Sequence, residues 1–514
     1  MNIIQVASEA IPFAKTGGLA DVAGVLPIHL AGRKHTVVLF LPFYKQVKEG
    51  KYQLDSTEHE IKFKIGDAPV QGRIWKSHIP ETKIPVYFIQ RDEYYHRDYL
   101  YSTPEGDYLD NAERFIFFSR ATVEAVKMLG IKADIIHCHD WQTALIPVYL
   151  KTLYGSHHPG RDRNEPAFKN TKTVMTIHNL AYQGLFWHWD MKLTGLDWSL
   201  FNWKQLEFYG KLNFLKGGMV FADALTTVSP RYAQEIQTKE FGHGLEGVLV
   251  ERAKNLYGIL NGADYTNWSP KTDKLIPANY TPANLKGKAA CKKALQKKLN
   301  LPEGNAPIIG MVTRLAGQKG LDILTAAFDE LMKEDVQVVL LGTGEEKYHQ
   351  IMRDLAKKYP TKTGITIAFD NQLAHLITAG ADMFLMPSRY EPCGLNQLYA
   401  LKYGTVPIVR ATGGLADTVI DYQTIPHSEL ATEFIPLGNS STPNSKLPTP
   451  NSTGFTFTDY TADTLLATIK RALTVYNQPK PWTELVRRAM SQDFSWKKSV
   501  LEYERVYQRL MDIK

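Results

Sequence analysis

Short, nearly unbroken apolar runs alternate along the chain with longer stretches in which apolar residues return at helical spacing. The runs fall at 3–7, 37–41, 86–89, 134–137, 174–177 and 224–228, then at 308–312, 336–341, 364–368, 383–386 and 406–409. Runs of this length without polar alternation predict strands buried on both faces, as in a parallel sheet covered by helices. Between them Asn111–Met128 shows the helical period clearly, and 493–510 predicts an amphipathic helix entered by Phe494-Ser495-Trp496. Strands alternating with helices predict an α/β protein, whose ligands bind beyond the carboxyl ends of the strands.

The alternation loosens after Asn261 and restarts near residue 308. With 514 residues, too many for one hydrophobic core, this divides the chain into domains 1–262 and 263–492, followed by the helical segment 493–514. A Ser/Thr/Pro/Asn tract at 440–452 reads as a flexible surface insertion.

The stretch 382–419 concentrates the unusual residues. Its strand is broken by Pro387 and Ser388, and Arg389, Glu391, Cys393 and Gly394 follow before helical spacing begins at Leu395, Leu398 and Tyr399. Gly404 then stands in the usual C-terminal position of a helix. A carboxylate at a strand-to-helix corner, beside amides able to take an anion, suits a phosphorylated sugar. The sequence Thr-Gly-Gly-Leu-Ala-Asp occurs twice, at 16–21 and 412–417. Either a common corner arose twice, or two α/β domains each offer a glycine turn to one ligand.

Lys15-Thr16-Gly17-Gly18 fits neither a Walker loop nor a dinucleotide fingerprint, so it is either a surface turn or a phosphate approach. Arg314 and Lys319, after one strand and before a helix, are either a solvated loop or a diphosphate clamp. His139 and His178 each end a strand, but no His/Cys/Asp spacing matches a metal ligand set and no G-x-S-x-G elbow occurs. Phe369 is placed either to stack on a base or to enter the core, and Cys393 either to pack or to lend its amide.

Composition narrows the partners. With 60 basic and 53 acidic residues and no long basic run, nucleic acid is not expected, and Lys286–Lys298 reads as a solvated helix face. Three scattered cysteines fit a reducing compartment rather than a disulfide framework. No run reaches membrane-spanning length, and Met1 leads directly into a strand, so a cytoplasmic chain without signal or transit peptide is expected.

The segments SEAIPFAKTGGLADV, DYLDNAERF, HCHDW, TIHNLAYQG, GILNGAD, TRLAGQKGLD, SRYEPCGLNQLYALKYGT and QDFSW together resemble the bacterial and plastidial glycogen/starch synthases, glycosyltransferase family 5. The resemblance implies a GT-B fold, two Rossmann-like doubly wound parallel-sheet domains facing a central cleft, closed by a hinge near Asn261, with the 493–514 helix packing back on the first. It implies a retaining enzyme that moves glucose from ADP-glucose to the non-reducing end of an α-1,4-glucan, releasing ADP. Lys15 would meet the donor's distal phosphate, with Gly17 and Gly18 allowing close approach and Asp21 nearby. Arg314 and Lys319 would stabilise the departing ADP. Glu391 would hold the transferred glucose with the amides of Cys393, Gly394 and Leu395. Asn261 and His139 would line the glucosyl pocket, and Phe369 would lie against adenine. Asp110, His178, Tyr182 and Gln183 would stand on the acceptor side.

One departure concerns chemistry: where many retaining relatives of this fold carry a second acid, eight positions after Glu391, this chain has Tyr399. With one evident carboxylate, the expectation is same-face substitution through an oxocarbenium-like state, aided by the His139 carbonyl, with no metal or cofactor. Two alternatives stand beside it, a related transferase using UDP-glucose and a catalytically inert glucan-binding relative.

Overall fold

The computed structural model describes residues 1–103, 105–155, 168–426, 446–448 and 451–512. The chain forms two compact units, Met1–Gly262 with Trp496–Lys514, and Ala263–Ser495.

The first unit is built on a nine-stranded sheet. Asn2–Val6 lies between Thr36–Pro42 and Ile135–His139, and Lys172–Ile177, Ala224–Thr227 and Leu256–Gly258 continue outward on the latter side. All of these pairings are parallel, as is that of Thr36–Pro42 with Pro85–Gln90. The far edge departs from the sequence expectation. Asp55–Ile65 and Ala68–His78 form an antiparallel hairpin paired with Pro85–Gln90, so the sheet is mixed rather than purely parallel. These strands expose one face and alternate polar with apolar positions, so they lack the unbroken runs that betray a doubly covered strand.

The terminal helix runs over Trp496–Asp512, three residues later than the expected start. Residues 493–495 stay with the second unit, where the Ala263 amide donates to the Phe494 carbonyl. From Trp496 onward the helix packs against Gly18–Gly32: Trp496 stacks on His29, and Glu504 pairs with Arg33 (2.6 Å) and His35 (2.8 Å). Deeper in, the Tyr507 hydroxyl bonds His137 Nδ1 at 2.8 Å, inside the sheet's helical cover. Gly262 is needed at the crossing, because a Cβ there would lie 2.5 Å from the Trp496 ring.

The second unit holds six parallel strands in the order Thr363–Ile367, Gln337–Gly342, Ile308–Val312, Met383–Met386, Val406–Arg410 and Phe455–Phe457. Their alternate side chains enter one core with Phe328, Leu331 and Ile469 from the covering helices. Helix Lys286–Lys298 presents Lys286, Lys293, Lys297 and Lys298 to solvent as its composition suggests, but two of its lysines turn inward. The Lys288 ammonium is buried and donates to the carbonyls of Ala379 (3.0 Å) and Ala381 (2.9 Å) and to Thr405 Oγ1 (2.7 Å), and burial pulls its pKa down to about 8. Lys292 pairs with Asp382 at 2.8 Å. Two lysines thus tie down the segments that lead into strands Met383–Met386 and Val406–Arg410. Of the 440–452 tract, 446–448 pairs antiparallel with 424–426, while 440–445 and 449–450 lie outside the described residues.

Candidate functional site

In the second unit the site grows from the end of Met383–Met386. The chain leaves that strand at Pro387, whose carbonyl would stand 2.0 Å from a Cβ on Gly320. Gly320 has φ +74°, a conformation open to glycine at no steric cost, and it joins the short turn Gly317–Lys319 to helix Leu321–Leu331. This close approach brings two loops together. The Arg389 amide donates to the Gln318 carbonyl (2.8 Å), and Gln318 Nε2 donates to the Tyr390 carbonyl (3.1 Å).

The outcome is a buried couple. Lys319 Nζ donates to Glu391 Oε2 at 2.6 Å, and Ser388 Oγ donates to the same oxygen at 2.9 Å. Behind Glu391, the Gly414 amide donates to the carbonyls of Glu391 and Pro392, both at 3.2 Å. Gly413, at φ +44°, would place a Cβ 2.0 Å from the Glu391 carbonyl, so the second TGG turn is a steric partner of the corner. Gly394, at φ +71°, is held beside Gln397, whose Nε2 donates to the carbonyls of Cys393 (3.0 Å) and Gly394 (3.1 Å). Cys393 is buried, and Leu395 is half-buried before helix Asn396–Lys402. Arg314 is exposed after Ile308–Val312, and Phe369 stands almost wholly in solvent rather than in the core.

In the first unit the KTGG turn is pinned from within by a residue the sequence reading passes over. Buried Glu9 accepts from the Thr16 amide, from Thr16 Oγ1 (3.0 Å) and from the Gly17 amide (3.3 Å). Burial raises the pKa of its carboxyl despite these bonds. Lys15 points outward and pairs with Asp21 at 2.6 Å, so an anion arriving at Lys15 competes with that carboxylate. Gly17 has an extended backbone, and a Cβ on Gly17 or Gly18 would meet nothing within 4 Å. Neither glycine is required by turn geometry or packing.

His139 ends strand Ile135–His139, and its Nδ1 lies 2.9 Å from His178 Nε2. Burial drives the His139 imidazole down to about 3 and His178 well below its ordinary value, so the pair is neutral at physiological pH. The His139 carbonyl accepts from Thr143 Oγ1 at 2.9 Å. Asp140, at φ +55°, turns its carboxylate back to accept from the His178 amide at 2.7 Å, and burial raises it to about 8. His139 Nε2 and Asn261 Oδ1 are among several buried side-chain atoms of this unit without a hydrogen-bond partner among the described residues. Buried polar atoms normally find partners, so such atoms point to a ligand or ordered water. Among the described residues no group of three or more His, Cys, Asp or Glu could hold a metal ion.

Comparison with known proteins places this geometry. The family model for the starch synthase catalytic domain matches residues 2–251, and that for glycosyl transferases group 1 matches 292–434. A glycogen synthase of Koribacter versatilis is 45% identical over 518 residues, covering 100% of this chain and 99% of its own. Another, from Pseudothermotoga lettingae, is 46% identical over 517 residues, with 99% of each covered. The chain belongs to the glycogen synthase family. The catalytic domain of starch synthase IV from Arabidopsis thaliana, solved with ADP and acarbose, matches with a TM-score of 0.86 at 32% identity over 99% of both chains. The fold is that of the GT-B glycosyltransferases.

Other residues that the family resemblance singled out have varied surroundings. Asp110 accepts both Arg97 guanidinium nitrogens (2.8 and 2.5 Å) at the start of helix Asn111–Met128. Tyr182 is exposed. The Gln183 amide is instead engaged internally, donating to the His243 carbonyl (3.1 Å) and accepting from Asn213 Nδ2 (2.7 Å). Tyr399 stacks on Trp268 at 4.4 Å, and Trp268 stacks on His375 at 3.7 Å. Below the stack, Asp273 accepts from the Tyr403 hydroxyl (2.6 Å) and lies 2.8 Å from His375 Nδ1. Position 399 is therefore part of the packing beneath the corner helix.

Glu9, Ser388 and Gln397 were missed by sequence reasoning. Only Glu9 carried a signal, a lone carboxylate within the otherwise apolar run before the KTGG turn.

Proposed function

We propose that this protein is a glycogen/starch synthase that elongates an α-1,4-glucan by transferring glucose from ADP-glucose to its non-reducing end. Full-length similarity to glycogen synthases supports the reaction, and the ADP in the related starch synthase supports the base. The observation that carries the reading is the buried Lys319–Glu391 couple at the strand-end corner. A binding module has no need to hold a lysine and a carboxylate against each other in a largely buried corner. The inert-relative alternative is correspondingly disfavoured.

In this reading Glu391, oriented by Ser388, hydrogen-bonds the glucose to be transferred, and the amides of Cys393, Gly394 and Leu395 hold its far side. Lys319 and exposed Arg314 carry the charge that builds on the departing diphosphate, where preplaced cations lower the barrier by acting mainly on the transition state. Lys15 leaves Asp21 for the distal phosphate, with Gly17 and Gly18 admitting close approach. Phe369 lies against the adenine. Sugar hydroxyls complete the hydrogen bonding of His139 Nε2 and Asn261 Oδ1, and the His139 carbonyl stabilises the oxocarbenium-like centre. Retention proceeds by same-face substitution rather than double displacement, since Glu391 is the one carboxylate at the corner among the described residues. Divalent metal is not part of this scheme, since Arg314 and Lys319 supply the positive charge. Asp110, His178 and Tyr182 serve the acceptor, with Gln183 shaping that loop from within.

The test is glucose incorporation into glycogen from ADP-glucose and from UDP-glucose under identical conditions. Strong incorporation from ADP-glucose, abolished in Glu391→Ala, is expected. Preference for UDP-glucose would overturn the donor assignment, and no incorporation from either would return the inert relative to first place.

A further inference from the structure

One turn of the second unit lies between the residues assigned to the diphosphate and the residue assigned to adenine. In the sheet order, Gln337–Gly342 stands between Ile308–Val312 and Thr363–Ile367. Arg314 and Lys319 follow the first of those neighbours, and Phe369 follows the second. A donor with its diphosphate at one and its base at the other crosses the carboxyl end of Gln337–Gly342. There Thr343, Gly344 and Glu345 turn the chain into helix Glu346–Lys358. In ADP-glucose the group between diphosphate and base is the ribose.

The turn is fastened on both sides. Toward Arg314, the Leu315 amide donates to the Thr343 carbonyl (2.9 Å), the Glu345 amide to the Leu315 carbonyl (2.8 Å), and the Gly317 amide to Glu345 Oε1 (3.2 Å). Toward Phe369, the Ala368 amide donates to the Gly342 carbonyl (3.1 Å). Gly344 has no room for a side chain, since a Cβ would stand 2.3 Å from the Leu315 carbonyl oxygen. The Gly344 amide itself is taken by His349 in the first turn of the helix, donating to Nε2 at 3.0 Å.

That bond fixes the protonation of the ring. A backbone amide can only donate, so Nε2 is the acceptor and the ring proton lies on Nδ1. Nδ1 stands 2.9 Å from Glu346 Oε2 and donates to it. The His349 side chain is only 13% exposed, so it is held in this orientation. A second proton would set an N–H against the Gly344 N–H and break the attachment. Glu346 favours that proton, and Arg353, paired with Glu346 at 2.9 Å, opposes it. Glu345 is paired with Lys347 at 2.8 Å. The flanking loops add Arg314, Lys319 (committed to Glu391) and Asp370 (capping the Leu373 amide).

We propose that His349 is a positioning residue for the donor: its neutral ring holds the Thr343–Glu345 turn against the ribose of ADP-glucose, and a second proton on the ring releases the turn and weakens donor binding. The donor's place here rests on the synthase reading. His349 touches no substrate atom and acts through Gly344.

The test is calorimetric titration of ADP-glucose into the full-length protein without acceptor, at about pH 8 and about pH 5.5, within the window where histidine changes charge. The donor's diphosphate is substituted at both ends and does not titrate there. His349→Gln keeps an acceptor, Oε1, within reach of the Gly344 amide but cannot take the proton. His349→Leu fills the space without an acceptor. Wild type should bind about tenfold more weakly at the lower pH, the worth of one hydrogen bond. The Gln variant should match wild type at the higher pH and lose the pH dependence, and the Leu variant should be about tenfold weaker at both. Equal melting temperatures at the higher pH verify folding, and ring-nitrogen NMR of the wild type should show the His349 proton on Nδ1. The same fall with pH in the Gln variant, wild-type affinity in the Leu variant, or a proton on Nε2 at the higher pH each overturns the proposal. No ADP-glucose binding by any of the three proteins defeats the donor assignment itself, and the ribose role falls with it.

Discussion

Lys319→Ala removes one partner of a pair that is 14% and 8% exposed and 2.6 Å apart. Two consequences follow from the same geometry. Glu391 is left buried with Ser388 as its remaining side-chain donor, and breaking a buried pair in this way costs about 3–5 kcal/mol. For a unit spanning 263–495 that corresponds to a fall in melting temperature of roughly 6–20 °C. Catalysis loses a preplaced cation at the leaving group, worth about 10²–10³ in kcat by analogy with other preorganised charge stabilisers. The two effects separate in Lys319→Met/Glu391→Leu, which removes both charges and leaves no buried ion behind. That double variant should recover most of the melting temperature and none of the activity. The assays are thermal unfolding with and without ADP, and steady-state kinetics with varied ADP-glucose. A Lys319→Ala protein with unchanged kcat and only a raised KM would refute the leaving-group role. Unchanged melting would refute the claim that the couple contributes to the fold.

Three further predictions draw on neighbouring features. Asp140→Asn keeps an acceptor for the His178 amide but cannot ionise; because burial raises the Asp140 carboxyl to about 8, its ionisation opposes folding. Wild-type stability should therefore fall from about pH 4 to pH 8 by this contribution, and the variant, compared by urea unfolding at pH 5 and pH 8, should lose that slope. Gly17→Ala and Gly320→Ala should differ sharply: the first meets open space and should change stability by less than about 0.5 kcal/mol while weakening ADP-glucose binding. The second drives a Cβ into the Pro387 carbonyl at φ +74° and should lower both melting temperature and kcat, the latter roughly 10²-fold through misplacement of Lys319. Phe369→Ala, at an exposed ring, should leave melting unchanged and raise the KM for ADP-glucose about tenfold, the scale of one base stacked on an aromatic ring.

What was legible in the sequence follows from burial on both sides. Ile308–Val312 and Met383–Met386 read as strands because nothing polar interrupts them, and the helix Asn111–Met128 because its apolar residues keep one period. The hairpin 55–78 was illegible as part of the sheet because a half-solvated edge strand has no unbroken run. Lys288 and Lys292 misled because composition counts charge without direction: a lysine aimed beneath a sheet has the same letter as one in solvent. The corner at Glu391 could be found from its glycines and carboxylate, but its coupling to Lys319 spans 72 positions and depends on the contact of Gly320 with Pro387. The Tyr399–Trp268–His375 stack joins three distant segments and leaves no local pattern.

The terminal helix changes the order in which this protein can be completed during synthesis. Domains ordinarily fold as they emerge, the N-terminal one first. Here the first unit leaves the ribosome early but lacks the residues that finish it, since His137 awaits Tyr507 and Arg33 awaits Glu504. The second unit is continuous over 263–495 and has every segment it needs before Trp496 is translated. The part begun first is therefore the part finished last. Its helix Gly18–Gly32 remains uncovered at Trp496 throughout the intervening translation, and a premature stop just after 495 would leave the first unit unfinished while sparing the second.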